Sequence, residues 1–482
     1  MKMAVKTDNY LMSINGQWVG SDLDTLNVVN PANGETVGTV PNGGEKEAEQ
    51  AVNAAYDAFE SWSNLTAHDR AVYLKKLNQL MLENQEELAQ MMTIEMGKPI
   101  NESRGEVKYA ASFIEWFAEE GKRIDGAVIP THAAGKRLQV WKKPVGVAAA
   151  ITPWNFPAAM LTRKMGPALA SGCTFIMKPS SESPLTAVKL MELCEQAGFP
   201  KGVVNLVTGS SSKIAKVVME NSKVRKVTFT GSTEVGKTLI RQSADQVKKL
   251  SLELGGHAPL VVLDDADVDL AVKGTVASKF RNAGQTCICA NRIYVQEGVY
   301  DEYVEKLTKA VEELKAGDGT DESNDIGPLI NQDGLDKVKR HVDDATSKGA
   351  SITTGGKAVT DNGGLFYQPT VLKDVDQSMV IMEEETFGPV TPVEKISSDE
   401  EAVKLSNDTP YGLAAYVFTS NVARGYQLIE KLDFGIVGWN EGGPSAAQVP
   451  FGGMKESGIG REGGHEGIEE FVESQYVAIG MG

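Results

Sequence analysis

The chain has 482 residues, which is too long for one ordinary hydrophobic core and therefore predicts two or three domains. The hydrophobic fraction of 41% and the charged fraction of 23% are typical of a soluble globular protein. With 48 Lys and Arg against 65 Asp and Glu, the net charge is −17, which argues against nucleic acid or a membrane surface as a partner.

The termini, cysteines and histidines carry few special signals. No apolar run reaches the roughly 18–20 residues of a membrane helix, and residues 1–8 contain no signal-peptide core. Four cysteines do not make a disulfide framework in a chain of this length, so we expect a cytoplasmic protein. No metal is expected, because metal-ligand spacing is missing from the five histidines, His68, His132, His257, His341 and His465.

The first 120 residues predict short strands followed by helices. Residues 1–42 are rich in Gly, Asn and Pro, and 14–18 has the pattern of a hairpin. Three amphipathic helices are then predicted from apolar residues at helical spacing. Their apolar faces are Ala48, Val52, Ala55 and Phe59; Leu74, Leu77, Met81 and Leu88; and Val107, Ala110, Ile114 and Phe117.

Two segments predict extended structure without a local partner. Gly and Pro interrupt the helical period between 120 and 144, and 137–142 then alternates like a strand. The tail, 471–479, is a single extended segment of the same kind. Each is expected to pair with a distant segment or with another subunit.

From 145 to 254, short apolar runs alternate with helical patterns. Strands are predicted at 147–151, 174–177, 203–207, 227–230 and 250–253, with helices at 157–170, 184–197, 211–221 and 233–244. This alternation predicts a parallel sheet covered on both faces, which binds ligands beyond the carboxyl ends of its strands. The notable residues at those ends are Asn155, Lys178, Gly231, Ser232 and Glu253. A second alternating region covers 258–440, with strands near 260–263, 293–295 and 413–418.

The segment 231–238 satisfies the P-loop pattern G-x-x-x-x-G-K-[ST], and 260–264 imitates the strand that ends in a magnesium-binding Asp. An NTPase is therefore the rival interpretation from another class. The β-branched Thr233 and Val235 resist the positive φ of a phosphate nest, and Glu234 would repel a triphosphate. We favour a dinucleotide at this strand-to-helix junction instead.

Cys287 lies in the segment 280–292, after a glycine turn and between Arg281 and Arg292. Cationic neighbours and exposed backbone N–H groups lower the pKa of a thiol and favour a nucleophile. A small buried hydrophobe is the alternative at this position, since most free cysteines are buried.

Seven motifs in order make the chain resemble the aldehyde dehydrogenase superfamily over essentially its whole length. They are PWNFP at 153–157, KP at 178–179, FTGS at 229–232, LELGG at 252–256, GQTC at 284–287, ETFGP at 385–389 and PFGG at 450–453. The resemblance implies an α/β protein with a parallel-sheet, Rossmann-like dinucleotide-binding domain at 1–120 and 145–255. It further implies an α/β catalytic domain at 256–445 and a β-strand oligomerisation arm at 121–144 and 465–482, in a homodimer or homotetramer.

The resemblance implies a catalytic role for three residues. Cys287 would attack the aldehyde carbonyl, and Asn155 with the Cys287 backbone N–H would hold the oxyanion. Glu253 would act as general base for the hydrolytic water. Two simpler interpretations stay open, because Asn155 could cap the following helix and Glu253 could pair with Lys178 or Lys249.

The cofactor implied by the resemblance is NADP or NAD, held partly by Lys178 at the adenosine ribose and Ser232 at the pyrophosphate. The other implied contacts are Trp154, Gly231, Glu385 at the nicotinamide ribose and Phe387 beside the ring. NAD-preferring relatives typically carry a Glu three positions after the Lys, where this chain has Ser181. Removing that carboxylate relieves repulsion against a 2′-phosphate, so NADP is favoured, although Glu182 lies next door.

Within the superfamily, the chain most resembles the succinate-semialdehyde dehydrogenases. Arg163, Arg281 and Ser445 match the residues that bind the distal carboxylate of the substrate, and paired arginines suit a buried carboxylate. Alternatively, Arg163 belongs to a solvated helix face, and Arg281 serves only to lower the thiol pKa. Glutarate semialdehyde or a broad range of aldehydes are the alternative substrates, because one methylene contributes little selectivity.

Cys289 lies two residues beyond the nucleophile. A strained Cys287–Cys289 disulfide would inactivate the enzyme under oxidation and would reduce easily. The alternative, slightly favoured, is that Cys289 is a small packed side chain.

Overall fold

A computed structural model describes residues 8–360 and 363–481. In chain order its strands are β1 (Asp8–Asn9), β2 (Met12–Ile14), β3 (Gln17–Val19), β4 (Thr25–Val29), β5 (Thr36–Pro41), β6 (Ala127–Ile129), β7 (Lys136–Pro144), β8 (Val147–Ile151), β9 (Thr174–Lys178), β10 (Val204–Leu206), β11 (Val224–Thr230), β12 (Lys249–Glu253), β13 (Ala258–Val262), β14 (Ala290–Gln296), β15 (Ser351–Thr354), β16 (Ala358–Val359), β17 (Phe366–Tyr367), β18 (Thr370–Lys373), β19 (Val390–Ile396), β20 (Ala414–Phe418), β21 (Ile436–Trp439), β22 (Gly458–Ile459) and β23 (Val472–Gly480).

The α-helices lie between these strands. They are α1 (Glu45–Ser63), α2 (Ala67–Glu83), α3 (Gln85–Met96), α4 (Ile100–Glu120), α5 (Ala159–Ser171), α6 (Leu185–Ala197), α7 (Ser211–Glu220), α8 (Thr233–Ser243), α9 (Val268–Lys279), α10 (Tyr300–Glu312), α11 (Gln332–Ser347), α12 (Val380–Glu383), α13 (Asp399–Asn407), α14 (Val422–Ile429) and α15 (Glu466–Glu469).

The first large sheet has eight strands in the order β22-β12-β11-β8-β9-β10-β2-β3. The five strands from β12 to β10 run parallel, which confirms the sheet predicted from the alternation of apolar runs and helices. Their side chains alternate between two cores. Val147 and Ala149 share a core with α1 and α7, whereas Ala148 and Ala150 share one with α4 and α5. Both faces are therefore buried, as short, continuously apolar strands require.

The second large sheet has seven strands in the order β15-β18-β19-β14-β13-β20-β21. All its pairs are parallel except the edge pair of β15 with β18. Leu260 and Val262 face one core, and Val261 faces another. The strands predicted near 260–263, 293–295 and 413–418 correspond to β13, β14 and β20.

A smaller sheet of three strands, β23-β7-β6, lies apart from these two. Strand β7 pairs antiparallel with β23 from Lys136 opposite Gly480 to Pro144 opposite Val472. The two extended segments that lacked a local partner thus pair with each other within one chain. Among the described residues, no helix is long and apolar enough to cross a membrane.

The N-terminal predictions are correct for the hairpin and wrong for the number of helices. Strands β2 and β3 form the hairpin predicted at 14–18. The second predicted helix is two helices, α2 and α3, which meet at Asn84 with non-helical dihedrals of φ −102 and ψ 22. Met81 and Leu88 are both fully buried on either side of this break, so the apolar period continues through it.

Candidate active site

The carboxyl ends of β8, β11 and β12 open into a cavity of about 370 Å³, which residues from the second sheet's region also line. Residues that follow different strands meet at this cavity because parallel strands have their carboxyl ends at the same edge of the sheet. Eight residues singled out in the sequence line the cavity: Trp154, Asn155, Gly231, Ser232, Glu253, Cys287, Glu385 and Phe387.

The loop before Cys287 has an unusual backbone. Asn282, Ala283 and Gly284 have φ values of 51°, 55° and 75°, three left-handed residues in succession. A Cβ atom at Gly284 would lie 2.2 Å from the carbonyl oxygen of Gly388, so only glycine fits there. The turn places Cys287 at the cavity with 9% of its surface exposed.

The thiol of Cys287 is not the low-pKa group that the flanking arginines predicted. Burial raises its pKa well above the ordinary value, the Glu253 carboxylate raises it further, and Arg163 offsets only part of this. Arg292 lies elsewhere, because its guanidinium donates to the carbonyl oxygens of His257 and Ser406. Cys287 is therefore a protonated thiol, which would need a base to act as a nucleophile.

Glu253, the last residue of β12, is suited to be that base. It is 2% exposed, and neither oxygen of its carboxylate has a hydrogen-bond partner among the described residues. Burial raises its pKa, and Arg163 opposes the shift. The ion pair with Lys178 or Lys249 considered from the sequence is not formed. Lys178 donates to Pro179 and Ser211, and Lys249 donates to the carbonyl oxygens of Glu469 and Val472.

Asn155 is 3% exposed and bridges the two halves of the cavity. Its side-chain Nδ2 donates to the carbonyl oxygen of Gln285 at 3.1 Å, which leaves its second N–H free. The residue does not cap α5, whose first turn is instead held by Glu106 through the backbone N–H groups of Ala158 and Ala159. The helix-cap interpretation of Asn155 is therefore wrong.

Arg163 lies in α5 with its side chain 2% exposed, so the solvated-face interpretation is wrong. Burial alone would lower its pKa, but an ion pair between its Nε and Glu462 more than offsets this and raises the pKa. Its Nη2 is buried and has no hydrogen-bond partner among the described residues. The Nε edge of the guanidinium is thus paired with a carboxylate, while Nη2 remains able to bind an anion.

Tyr109 is a site residue that the sequence did not reveal. The partly buried phenol has its pKa raised by burial, and this rise is reduced by Arg163, by Arg281 and by a hydrogen bond with Ser445. All three residues predicted to bind a carboxylate thus influence the same hydroxyl, Ser445 through a hydrogen bond and the two arginines through their charge. Arg281 also lies over the ring of Phe156, 5.1 Å from its centroid.

Lys178, the predicted contact of the adenosine ribose, is the last residue of β9 and is not among the described residues that line the cavity. Its Nζ donates to the carbonyl oxygen of Pro179 at 2.8 Å and to the hydroxyl of Ser211 at 2.6 Å. Burial lowers its pKa to about 8, as expected for a cation held by neutral groups. Ser181 is half-buried nearby, and the Glu182 carboxylate accepts from Asn331 Nδ2 at 3.4 Å.

The remaining cofactor candidates fit a dinucleotide. Ser232 caps α8 by accepting from the N–H of Val235, and Glu385 accepts from the N–H of Gly256 at 3.2 Å. Phe387 holds a φ of 54°, a left-handed conformation that is rare for an aromatic residue and common at ligand sites. Its ring meets that of Trp154 edge-on at 5.7 Å, which forms an aromatic wall in the cavity.

The P-loop pattern does not form a P-loop. Helix α8 begins at Thr233, so the residues that would cradle a phosphate are already helical. Lys237 is the fifth residue of that helix and pairs with Glu456 at 2.7 Å, where both side chains are more than 40% exposed. The charge of this lysine is directed to the surface, which removes the main support for an NTPase.

Cys289 is fully buried and reduced. Its Sγ lies 3.6 Å from the carbonyl oxygen of Lys279. Burial raises the pKa of this thiol, and the nearby Lys279 ammonium opposes the rise. The interpretation of Cys289 as a small packed side chain agrees with this burial, and the Cys287–Cys289 disulfide stays a prediction.

Fold and site together define a cysteine-dependent oxidoreductase with a dinucleotide site, and comparison with known proteins gives its family. The aldehyde dehydrogenase family matches residues 18–477, so the chain belongs to the aldehyde dehydrogenase family. The resemblance inferred from the seven motifs is confirmed, together with the fold class.

Similar proteins cover nearly the whole chain. It is 52% identical over 469 residues to the NADP(+) succinate-semialdehyde dehydrogenase GabD of Escherichia coli K12, with 97% of each chain aligned. It is 51% identical over 469 residues to the glutarate-semialdehyde dehydrogenase of Pseudomonas putida, again with 97% of each aligned. The crystal structure of an E. coli NADP-dependent enzyme superposes with a TM-score of 0.97 at 52% identity, covering 98% of each chain.

Proposed function

We propose that the protein oxidises succinate semialdehyde to succinate, with NADP preferred over NAD. The observation that carries the proposal is the buried, unpartnered Nη2 of Arg163, whose charge acts on Tyr109 and Cys287 together with that of Arg281 at Tyr109. The relative that is 52% identical and named for this substrate supports it.

Catalysis begins with the pair of Cys287 and Glu253. Glu253 takes the thiol proton, and the sulfur then bonds to the aldehyde carbon while the carbonyl π electrons move to oxygen. The free N–H of Asn155 and the backbone N–H of Cys287 stabilise that oxyanion. When bound, the nicotinamide cofactor supplies the hydride acceptor, and Lys178, Ser232, Glu385 and Phe387 would hold it.

Hydrolysis of the resulting thioester on Cys287 completes the reaction. Glu253 first passes the thiol proton to solvent and then takes a proton from water. The hydroxide adds to the acyl carbon, and the carbon–sulfur bond breaks to release the carboxylate and the Cys287 thiol. A buried carboxylate with a raised pKa is a stronger base than an exposed one, which suits this step. Loss of the thioester makes the oxidation irreversible.

The substrate's distal carboxylate would bind between the two arginines. Arg163 offers the unpartnered Nη2, and its ion pair with Glu462 fixes the direction of the guanidinium. Glutarate semialdehyde, the substrate named for the P. putida relative, is the second candidate. One methylene changes binding by roughly 1–3 kcal/mol, so both substrates fit the same arginines.

The preference for NADP rests on Lys178. This buried ammonium is held by a carbonyl and a hydroxyl, so a 2′-phosphate would supply its missing counterion. Ser181 leaves room for that phosphate, and the neighbouring Glu182 carboxylate is engaged by Asn331.

Each part of the chain has its own role in the proposed enzyme. Residues 1–120 and 145–255 bind the dinucleotide, and residues 256–445 supply Cys287. Residues 121–144 and 465–482 form an arm that joins the subunits of a homodimer or homotetramer. Apolar side chains exposed on the three-stranded sheet favour such a contact: Val128 is 75% exposed, Trp141 48% and Tyr476 61%.

The test is a matrix of kcat/KM for succinate semialdehyde, glutarate semialdehyde and butyraldehyde with NADP and NAD. The two semialdehydes should exceed butyraldehyde by at least tenfold, because only they engage the arginines. Cys287→Ala should abolish oxidation, and the matched Cys194→Ala, another buried free cysteine, should not. Equal rates for butyraldehyde, or magnesium-dependent phosphate release that survives Cys287→Ala, would overturn the proposal.

A further inference from the structure

We propose that Lys98 is a positioning residue, whose ammonium group holds the backbone carbonyl of Asn155 and thereby directs the Asn155 carboxamide towards the thiol of Cys287. The inference rests on the proposed function, in which Asn155 stabilises the oxyanion. Nothing in the sequence pattern pointed to Lys98, which precedes a proline outside the predicted helices.

Lys98 reaches Asn155 from the N-terminal helices. Gly97, with a φ of 83°, ends α3 and turns the chain so that Lys98 enters the core. The Lys98 side chain has no exposed surface, and its Nζ donates to the carbonyl oxygen of Asn155 at 2.8 Å. The same Nζ lies 3.8 Å from the centre of the Phe156 ring. The buried ammonium group of Lys98 therefore contacts both Asn155 and Phe156.

Glu106 of α4 completes this arrangement. One of its carboxylate oxygens forms the ion pair with Lys98, and the other accepts from the N–H groups of Ala158 at 3.0 Å and Ala159 at 3.2 Å. The pair thus holds the main chain at the Asn155 carbonyl and again at the start of α5. Because the carboxylate neutralises the ammonium, the pair contributes little net charge, and its effect is on geometry.

Asn282 ties the same carbonyl to the nucleophile's loop. Its Nδ2 donates to the Asn155 carbonyl oxygen at 3.0 Å, and its backbone N–H donates to the carboxylate of Glu102 at 2.8 Å. Gln285, two residues before Cys287, accepts from Asn155 Nδ2 at 3.1 Å. The Asn155 main chain and carboxamide are therefore both anchored, and one N–H of the carboxamide remains for the oxyanion.

An ion pair that only stabilised the fold would not need to contact the main chain of Asn155, as the Lys98–Glu106 pair does. Lys226 provides the comparison, because it is equally buried and pairs with Glu470 and Ser251, away from the Asn155 carbonyl. Removing Lys98 takes the cation from the buried Glu106, and removing Lys226 takes it from Glu470, which is 23% exposed, so both changes lower stability. Of the two changes, only removal of Lys98 takes a hydrogen-bond donor away from the Asn155 carbonyl.

A double-mutant cycle between Lys98→Met and Asn155→Ala tests the inference, with kcat measured per titrated Cys287 thiol on succinate semialdehyde. Asn155→Ala should lower kcat by about 100- to 1,000-fold, as loss of an oxyanion donor does. Lys98→Met should lower kcat at least tenfold in the wild-type background, and less than about twofold in the Asn155→Ala background, because effects transmitted through one residue are not additive. KM for the semialdehyde should stay within about threefold, since the arginines are untouched.

Two further variants separate positioning from stability. Lys226→Met should lower the melting temperature as Lys98→Met does, but its kcat should stay within about twofold of wild type. Asn282→Gly keeps the left-handed backbone and removes the second donor to Asn155, so it should lower kcat in the same direction, even if Lys98→Met fails to fold. Additive losses in the double mutant, or an unchanged kcat for Asn282→Gly, would overturn the inference. A wild-type enzyme inactive on every aldehyde would instead refute the proposed function.

Discussion

The two cations of the proposed active site, one assigned to its substrate end and one to its cofactor end, are held in different ways. At the substrate end, Arg163 carries a built-in counterion, because Glu462 pairs with it in the core. At the cofactor end, Lys178 is equally buried but bonds a carbonyl and a hydroxyl, and burial lowers its pKa to about 8. A compensated cation serves to orient a ligand, whereas an uncompensated one gains most from an anionic ligand.

This difference predicts where substitutions act. Changes at the substrate end should affect the aldehyde reaction strongly and the choice of cofactor little. Changes at the cofactor end should alter the ratio of NADP to NAD while leaving the aldehyde specificity intact. The following variants test this division in order of expected effect.

Glu253→Gln should have the largest effect. Steady-state turnover should fall by about 100- to 10,000-fold, because the thioester then lacks a base for its hydrolytic water. Burial places the pKa of Glu253 above its usual value, so wild-type kcat should fall as pH decreases through that raised pKa, and the variant should lose this acid limb. Rapid-mixing measurements of cofactor reduction across pH provide the check.

Glu394→Gln is the matched control for this variant. Burial raises the pKa of Glu394 to about 7, and this β19 residue accepts from Gln377, neither of the two being among the described residues that line the cavity. Its pH profile should match wild type. An acid limb that persists in Glu253→Gln would assign the base to another residue.

Arg281→Gln should reduce kcat/KM for succinate semialdehyde by about 10- to 100-fold, the usual effect of a lost hydrogen bond to a charged group. Butyraldehyde should change less than about threefold, because it has no distal carboxylate. Arg281 is the better choice than Arg163, whose removal would take one of its two cations from the buried Glu462 and leave only Lys164. Equal losses for both aldehydes would show that Arg281 acts on the thiol instead.

Ser181→Glu should shift the ratio of kcat/KM for NADP and NAD by about tenfold towards NAD, which corresponds to ~1.4 kcal/mol. The new carboxylate would repel a 2′-phosphate beside Lys178 and accept from a ribose hydroxyl. Ser181→Ala is the control and should retain the preference, since it adds no charge. An unaltered ratio in the glutamate variant would contradict the cofactor assignment.

Lys237→Ala should have the smallest effect, within about twofold in kcat/KM, because exposed ion pairs contribute only about 0.2–1 kcal/mol. The side chains of Lys237 and its partner Glu456 are 45% and 44% exposed. A loss beyond tenfold with either cofactor would return the P-loop interpretation to consideration.

The parts of the fold that could be predicted are those with local periodicity. Five apolar runs separated by helical patterns were sufficient for the parallel sheet, because burial on both faces leaves a continuous apolar strand. The apolar period of the helices did not reveal the break between α2 and α3 at Asn84, because buried apolar residues continue on both sides of it. A helix end without an apolar interruption is not visible in such a pattern.

The site was predictable in its residues and not in their electrostatics. Motifs placed Asn155, Glu253 and Cys287, and the structure brings all three to one cavity. The thiol pKa was predicted in the wrong direction, because neighbours in sequence are not neighbours in space and burial exceeds their effect. Glu462 lies 299 positions from Arg163, so no local pattern could have linked them.

The three-stranded sheet has a consequence for biosynthesis. Lys142 on β7 forms a salt bridge with Glu469, 327 positions later, next to the partner strand β23. At a synthesis rate of about 5–20 residues per second, roughly 15–65 seconds pass before that partner leaves the ribosome. During this interval the β7 edge, with the apolar Trp141, is open to other chains. Completion of the last strand, rather than formation of the catalytic site, therefore ends the period in which the nascent protein is most prone to aggregate.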